Sequence, residues 1–196
     1  MERTAKLTLV EIVLPGEGLW REALLVLGGS VLIALAAQVA IPLPFSPVPV
    51  TGQTFAVLLV GALLGSRRGA LSLLAYLAEG AVGLPVFAGG GSGLPWLLGP
   101  TGGYLVGFVA AAFVTGWLTE RGWDRRIHTT ALAMLIGNGV IYLCGLPWLA
   151  RFVGADRVLA LGLWPFVPGD LIKLALAALA LPSGWKLMAQ VGRRKG

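Results

Sequence analysis

An all-α membrane protein, a bundle of six transmembrane helices with both termini on the cytoplasmic side, is the fold class this sequence predicts. Three observations lead there. Of its 196 residues 57% are apolar and only 12% charged, too little polar surface to coat a water-soluble globule of that size, so lipid must cover the remainder. The apolar residues are gathered into long blocks set apart by short charged or Gly/Pro-rich breaks, the pattern of one helical bundle. The cations are lopsided: Arg3, Lys6, Arg21, Arg67, Arg68, Arg121, Arg125, Arg126, Lys186, Arg193, Arg194 and Lys195 fall on one set of alternate loops, and only Arg151 and Arg157 on the other. An even number of spans with that bias turned toward the cytoplasm satisfies the positive-inside rule.

In chain order the helices are expected near residues 19–41, 51–64, 68–82, 102–120, 129–150 and 169–189, within a single integral domain of residues 1–196. The first resembles a secretory signal, with Arg21 ahead of an apolar run, but its leader carries Glu2, Glu11 and Glu17, so it reads as a membrane helix. The second and third are shorter than the roughly 20 residues a perpendicular span needs. Between the first two lies Pro42-Leu43-Pro44-Phe45-Ser46-Pro47-Val48-Pro49, whose repeated prolines fix φ and predict a stiff extended or polyproline-like connector. Residues 83–101 form a long loop without an ionisable group, marked by Gly89, Gly90, Gly91, Gly93, Gly99 and then Gly102. An apolar, glycine-rich loop is unlike a solvated linker and suits a lid over a cavity. Small residues four apart, Gly61 with Gly65, Gly103 with Gly107, and Ala36 with Ala40 on the first helix, predict close helix contacts. The alanine pair is as well suited to docking a second membrane subunit.

Several function classes are excluded or disfavoured. The formal charge of +6 sits at block ends with no basic stripe interleaved with aromatics, which argues for membrane orientation and against nucleic acid. One cysteine, Cys144, and one histidine, His128, supply neither a disulfide nor a metal site. No P-loop, nucleophile elbow or zinc-binding helix motif occurs, so the chain reads as no enzyme, with no cofactor and no means of its own to hydrolyse ATP.

Ionisable residues at membrane depth cost on the order of 2.5 to 3.5 kcal/mol each on insertion scales and are functional candidates by default. Glu79, Asp170 and Lys173 qualify. Asp170, just after Pro168-Gly169, has an ordinary use as a first-turn acid complementing the helix dipole. Lys173, three residues on and on the same face, opposes that dipole and needs an anion, either Asp170 or a substrate carboxylate. Gln53, Asn138, Tyr104 and Thr101 are further polar residues at depth, with Asn138 best explained as a helix-to-helix hydrogen bond. Glu79 reads as an interfacial charge.

Four stretches together resemble the BioY family: Pro47-Val48-Pro49-Val50-Thr51-Gly52-Gln53-Thr54-Phe55, Gly83-Leu84-Pro85-Val86-Phe87-Ala88-Gly89-Gly90, Gly99-Pro100-Thr101-Gly102-Gly103-Tyr104-Leu105, and Pro165-Phe166-Val167-Pro168-Gly169-Asp170-Leu171-Ile172-Lys173. Their order and placement cover most of residues 30–180. The resemblance implies a six-helix substrate-capture component of an energy-coupling factor (ECF) transporter in a bacterial cytoplasmic membrane. It further implies biotin as substrate, and a membrane coupling protein with two cytoplasmic ATPases as partners. It carries the biotin pocket onto Asp170 and Lys173, with Gln53, Tyr104 and Thr101 as further contacts, and the lid onto the loop around Gly89 to Gly103. Ala36 and Ala40 fall where such subunits dock. Phe45, Phe87 and Trp96 are expected to cover the apolar part of the ligand. Glu79 departs from the family pattern, which calls for an aliphatic residue there. A stand-alone ion-coupled secondary transporter of a small carboxylate-bearing vitamin is the alternative, though no inverted repeat encourages it.

Overall fold

The computed structural model describes residues 8–194, with side chains to residue 190. Arg3, Lys6 and Lys195 of the cationic set lie outside the described residues, and the side chains of Arg193 and Arg194 likewise. A short helix α1 (Leu9–Val13) precedes α2 (Leu19–Gln38), a hairpin of β1 (Ala40–Leu43) and β2 (Ser46–Thr51), then α3 (Gln53–Leu64) and α4 (Ser66–Ala81). After a loop that holds a 3₁₀ turn (Ala88–Gly90) and α5 (Leu94–Leu98) come α6 (Gly102–Thr119), α7 (Ile127–Val153), α8 (Val158–Gly162) and α9 (Val167–Arg194).

Among the described residues four helices, α2, α6, α7 and α9, are long and apolar enough to cross a membrane, whereas α3 has 12 residues and α4 has 16. At 1.5 Å per residue, α3 rises only about 18 Å. How much of each helix is covered ranks its place. In the most apolar stretch of α6 67% of residues are buried, against 17% in α2 and 22% in α9. The bundle is therefore built around α6, which packs on α3, α4 and α7, while α2 and α9 turn most of their surface outward. On α2 the buried residues Gly29, Ser30, Ile33 and Ala37 make a single helical stripe, and Leu24, Leu27, Val31 and Leu35 are exposed. A helix apolar on all sides with so little protein cover is one whose outer face meets lipid.

Glycine sets how closely the central helices approach. A Cβ on Gly61 would lie 2.5 Å from the Ala112 carbonyl oxygen of α6, and one on Gly69 of α4 would lie 2.9 Å from Gly61 Cα. Three helices thus meet backbone to backbone. Gly103 and Gly107 make the same kind of contact with α7 at Cys144 and Ile141. Gly65 is the joint between α3 and α4 with φ +87, a conformation suited to glycine, and it too meets α6 closely, since a Cβ on Gly116 would lie 2.4 Å from the Gly65 carbonyl carbon.

Two expectations are corrected here. The proline-rich connector is a two-stranded antiparallel hairpin with Ala40 opposite Thr51 and Leu43 opposite Ser46, so the fold is not purely helical. The ladder is irregular between Ile41 and Leu43, at Pro42, which has no N–H to donate. The first helix consequently ends at Gln38, and Ala40 sits in β1 instead of one turn beyond Ala36. No helical Ala36/Ala40 pair exists, and Ala36 is turned inward, its carbonyl beside Gly52.

Charged residues hold the end of the bundle away from the hairpin. The Arg68 guanidinium donates to Glu22 at 2.6 and 2.9 Å and to Glu11 at 3.0 Å, and the Glu120 carboxylate caps α4 by accepting from Ser66 N and Oγ at 2.7 and 2.8 Å. At the α6–α7 corner buried Asp124 accepts the Trp185 indole N–H at 2.6 Å, while Arg125 stacks 4.6 Å over the Trp185 ring. His128 is exposed nearby. Burial pushes the Asp124 carboxyl above its ordinary range, with the Trp185 hydrogen bond opposing. An acid raised by folding holds its proton more tightly in the folded chain, so its contribution is complete below about pH 4 and fades as pH rises through the folded value. Asp124→Asn is expected to remove that slope, so that its thermal stability in detergent relative to wild type rises between pH 4 and pH 7; an unchanged difference overturns the assignment.

Candidate ligand-binding site

At the opposite end, the hairpin, the glycine-rich loop and the starts of α3, α6 and α9, with the middle of α7, line one cavity that is open on one side. Asp170 and Trp185 are fifteen residues apart on α9, which sets the cavity roughly 22 Å along the helix from the Asp124 corner. Asp170, Lys173, Gln53, Thr101, Tyr104, Phe87 and Trp96, read from five separate segments, all line it.

The ionic centre comes from the first two turns of α9. Lys173 Nζ donates to the Thr51 carbonyl at 2.9 Å, to Thr54 Oγ1 at 2.7 Å and to Asp170 Oδ1 at 3.4 Å. An ammonium has three hydrogens, and each has an acceptor. The anion that Lys173 requires is Asp170. The Asp170 oxygens do not cap the helix: Oδ2 accepts the Tyr142 hydroxyl, and Oδ1 faces Lys173 and Thr54 Oγ1. A carboxylate offers about four lone-pair positions. Asp170 therefore keeps acceptor capacity toward the cavity it lines, whereas Lys173 has no donor left over.

The remaining polar groups mostly hold walls. Gln53 Nε2 donates to Tyr76 at 2.7 Å, and the Tyr76 hydroxyl donates to Val86 O at 3.0 Å, which ties the floor to the loop. Tyr104 presents its ring while its hydroxyl donates to Gly162 O at 2.9 Å. Thr101 Oγ1 lies 3.5 Å from Trp96 O. Phe87 is completely buried, edge-on to Tyr76 at 5.5 Å between centroids and filling the space left by Gly80.

The loop of residues 83–101 is more structured than expected. Gly89 and Gly90 take positive φ in the tight turn, and a side chain on Gly91 would collide with the Trp96 ring. Its far end is fixed where Trp148 Nε1 donates to Gly99 O at 2.9 Å, against the side-chain-free surface of Gly102 and Gly103. The glycines of this loop therefore shape the backbone, and none of them lines the main cavity, Gly89 facing the adjoining groove. Phe45 is 59% exposed at the hairpin turn and does not cover the cavity. Asn138 Oδ1 is buried without a protein donor beside Thr54, so the expected interhelical bond is not made there.

Tyr142 and Thr54 were not singled out from the sequence, and both contact the ion pair. Thr54 follows Gln53 within a motif already noticed. Tyr142 sits in an apolar block, where a hydroxyl needs a buried partner, the one signal that pointed to it. Glu79 is outside the cavity lining; its Oε2 accepts the Ser30 hydroxyl at 2.5 Å. Glu79→Gln is expected to leave ligand affinity within about twofold and to lower stability by about 1 kcal/mol, as titration and melting would show.

A lipid-facing helical bundle that encloses an apolar, acceptor-bearing cavity at one end defines a membrane protein that captures a small molecule with N–H donors. The chain belongs to the BioY family, whose model matches residues 4–190. It is 44% identical over 148 residues to a probable biotin transporter BioY of Pyrococcus horikoshii, covering 76% of this chain and 86% of that one. It is 41% identical over 158 residues to a biotin transporter BioY of Rhizobium etli, covering 76% and 84%. Among solved structures it is similar to the S-component for biotin from an ECF-type ABC transporter, with TM-score 0.70 and 26% identity over 85% of this chain and 92% of that one.

Proposed function

We propose that this chain is the biotin-binding, substrate-specific subunit of an ATP-driven ECF-type vitamin transporter, a single integral domain in a prokaryotic cytoplasmic membrane. The observation that carries the reading is the asymmetry of the ion pair: Lys173 has three acceptors in Thr51, Thr54 and Asp170, while Asp170, which lines the cavity, meets three donors and keeps about one of its roughly four acceptor positions. Biotin's ureido ring offers two N–H donors to such an acceptor, and its thiolane ring and aliphatic chain suit walls made by Phe87, Trp96, Tyr104, Phe108 and Phe166. With two termini at the cationic face, six crossings put the cavity outside, where it takes up ligand. The work of transport then falls to a membrane coupling protein and two cytoplasmic ATPases.

Equilibrium titration of the purified chain with biotin tests this. One site with a dissociation constant below about 1 μM, equivalent to at least about 8 kcal/mol, is expected; folded protein that fails to bind overturns the proposal. In proteoliposomes the chain alone is expected to accumulate no biotin under a pH gradient, and uptake so driven would favour a secondary transporter. Reporter fusions that place the C-terminus outside would overturn the topology.

A further inference from the structure

We infer that this site holds biotin by its ring system alone, with the carboxyl end lying in the neutral open groove beside the cavity, so that esters and amides of biotin are ligands too. The inference rests on the reading of the cavity as a biotin site and adds which end of the molecule is recognised.

Among the described residues the only cation lining the cavity is Lys173, and its Nζ lies within hydrogen-bond distance of three acceptors, Thr51 O at 2.9 Å, Thr54 Oγ1 at 2.7 Å and Asp170 Oδ1 at 3.4 Å. For Lys173 to grip a ligand carboxylate it would have to release one of these, and the newcomer would then stand beside Asp170 in a site of low dielectric. Two carboxylates so placed disfavour each other's ionised forms. The ion pair is thus arranged to receive N–H donors and to repel a second anion.

The cavity continues into a groove between the hairpin and the glycine-rich loop, the two sharing Pro49, Ala88 and Trp96. Pro42, Leu43 and Gly89 are among the residues that complete it. Among the described residues no Arg, Lys or His lines the groove, and the two segments that form it, residues 39–55 and 83–101, contain no ionisable residue. Its one hydroxyl, Ser46, donates to Leu161 O at 2.8 Å. The groove is open to solvent, so a carboxylate there keeps its water and gains no partner. Exposed charges without a close partner contribute little to affinity, and removing this one costs correspondingly little.

Competition against labelled biotin in detergent tests the inference, using biotin methyl ester, the amide of biotin with a lysine side chain, and an analogue methylated at both ureido nitrogens, which lacks the N–H donors. Ester and amide are expected to bind within about tenfold of biotin, the ring-modified analogue much more weakly, and biotin affinity to change less than about twofold between roughly 0.05 and 0.5 M salt. A larger loss for the ester, with biotin itself binding, overturns the inference and leaves the biotin reading standing; absence of biotin binding overturns both. Lys173→Met is expected to weaken acid and ester alike, and a loss confined to the acid would show that Lys173 holds the carboxylate after all.

Discussion

Asp170→Asn is expected to weaken biotin binding by roughly 10- to 150-fold, about 1.5–3 kcal/mol, the range for a hydrogen bond to a charged group. Asn keeps the shape and one carbonyl acceptor but removes the charge, and it places an amide N–H₂ where either Tyr142 or Lys173 needs an acceptor. At least one of the three donors now meeting Asp170 loses its partner in a residue only 7% exposed. Breaking one side of a buried pair costs more than forgoing it altogether, because the survivor is left charged. The folded state should therefore lose stability as well, and the double substitution with Lys173→Met should recover part of it while leaving binding poor. Calorimetric titration separates these effects from melting. A single variant that is stable and binds within about threefold of wild type would remove Asp170 from the site.

The parts of this picture that were legible in the sequence are those governed by long apolar blocks and by charge in the wrong solvent. α6, α7 and α9 announce themselves because a bilayer admits little else, and Asp170 and Lys173 because ionisable residues at depth require a reason. The hairpin was not legible. Prolines at 42, 44, 47 and 49 argue locally for an unpaired extended chain, and the ladder forms because the alternation of buried Ser46 and Val48 with outward Pro47 lets one face pack inward. Moving Ala40 from helix to strand followed from that one error. Tyr142 was hidden for a different reason: which hydroxyl meets which carboxylate across α7 and α9 depends on rotation of the helices about their axes, and local periodicity in an all-apolar helix does not specify it. In the loop, Leu94-Pro95-Trp96-Leu97-Leu98 carried a helix start in its proline, masked by the surrounding glycines.

Gly80→Ala is expected to reduce biotin affinity about 30-fold or more, although Gly80 is not among the cavity-lining residues, because the added methyl would collide with the Phe87 ring. Phe87 is completely buried between Gly80 and Tyr76; displacing its ring is expected to disturb the cavity wall it forms and the nearby Tyr76-to-Val86 hydrogen bond. Phe87→Ala should cause a loss of similar size by removing the ring directly, with destabilisation of about 3–5 kcal/mol for a buried phenylalanine. The informative measurement is the double variant. If both substitutions act through one ring, Gly80→Ala adds almost nothing once Phe87 is alanine, giving a coupling near the whole single effect where independent sites agree within about 0.5 kcal/mol. Additive losses would mean that Gly80 supports the site by some route other than the space it leaves for Phe87.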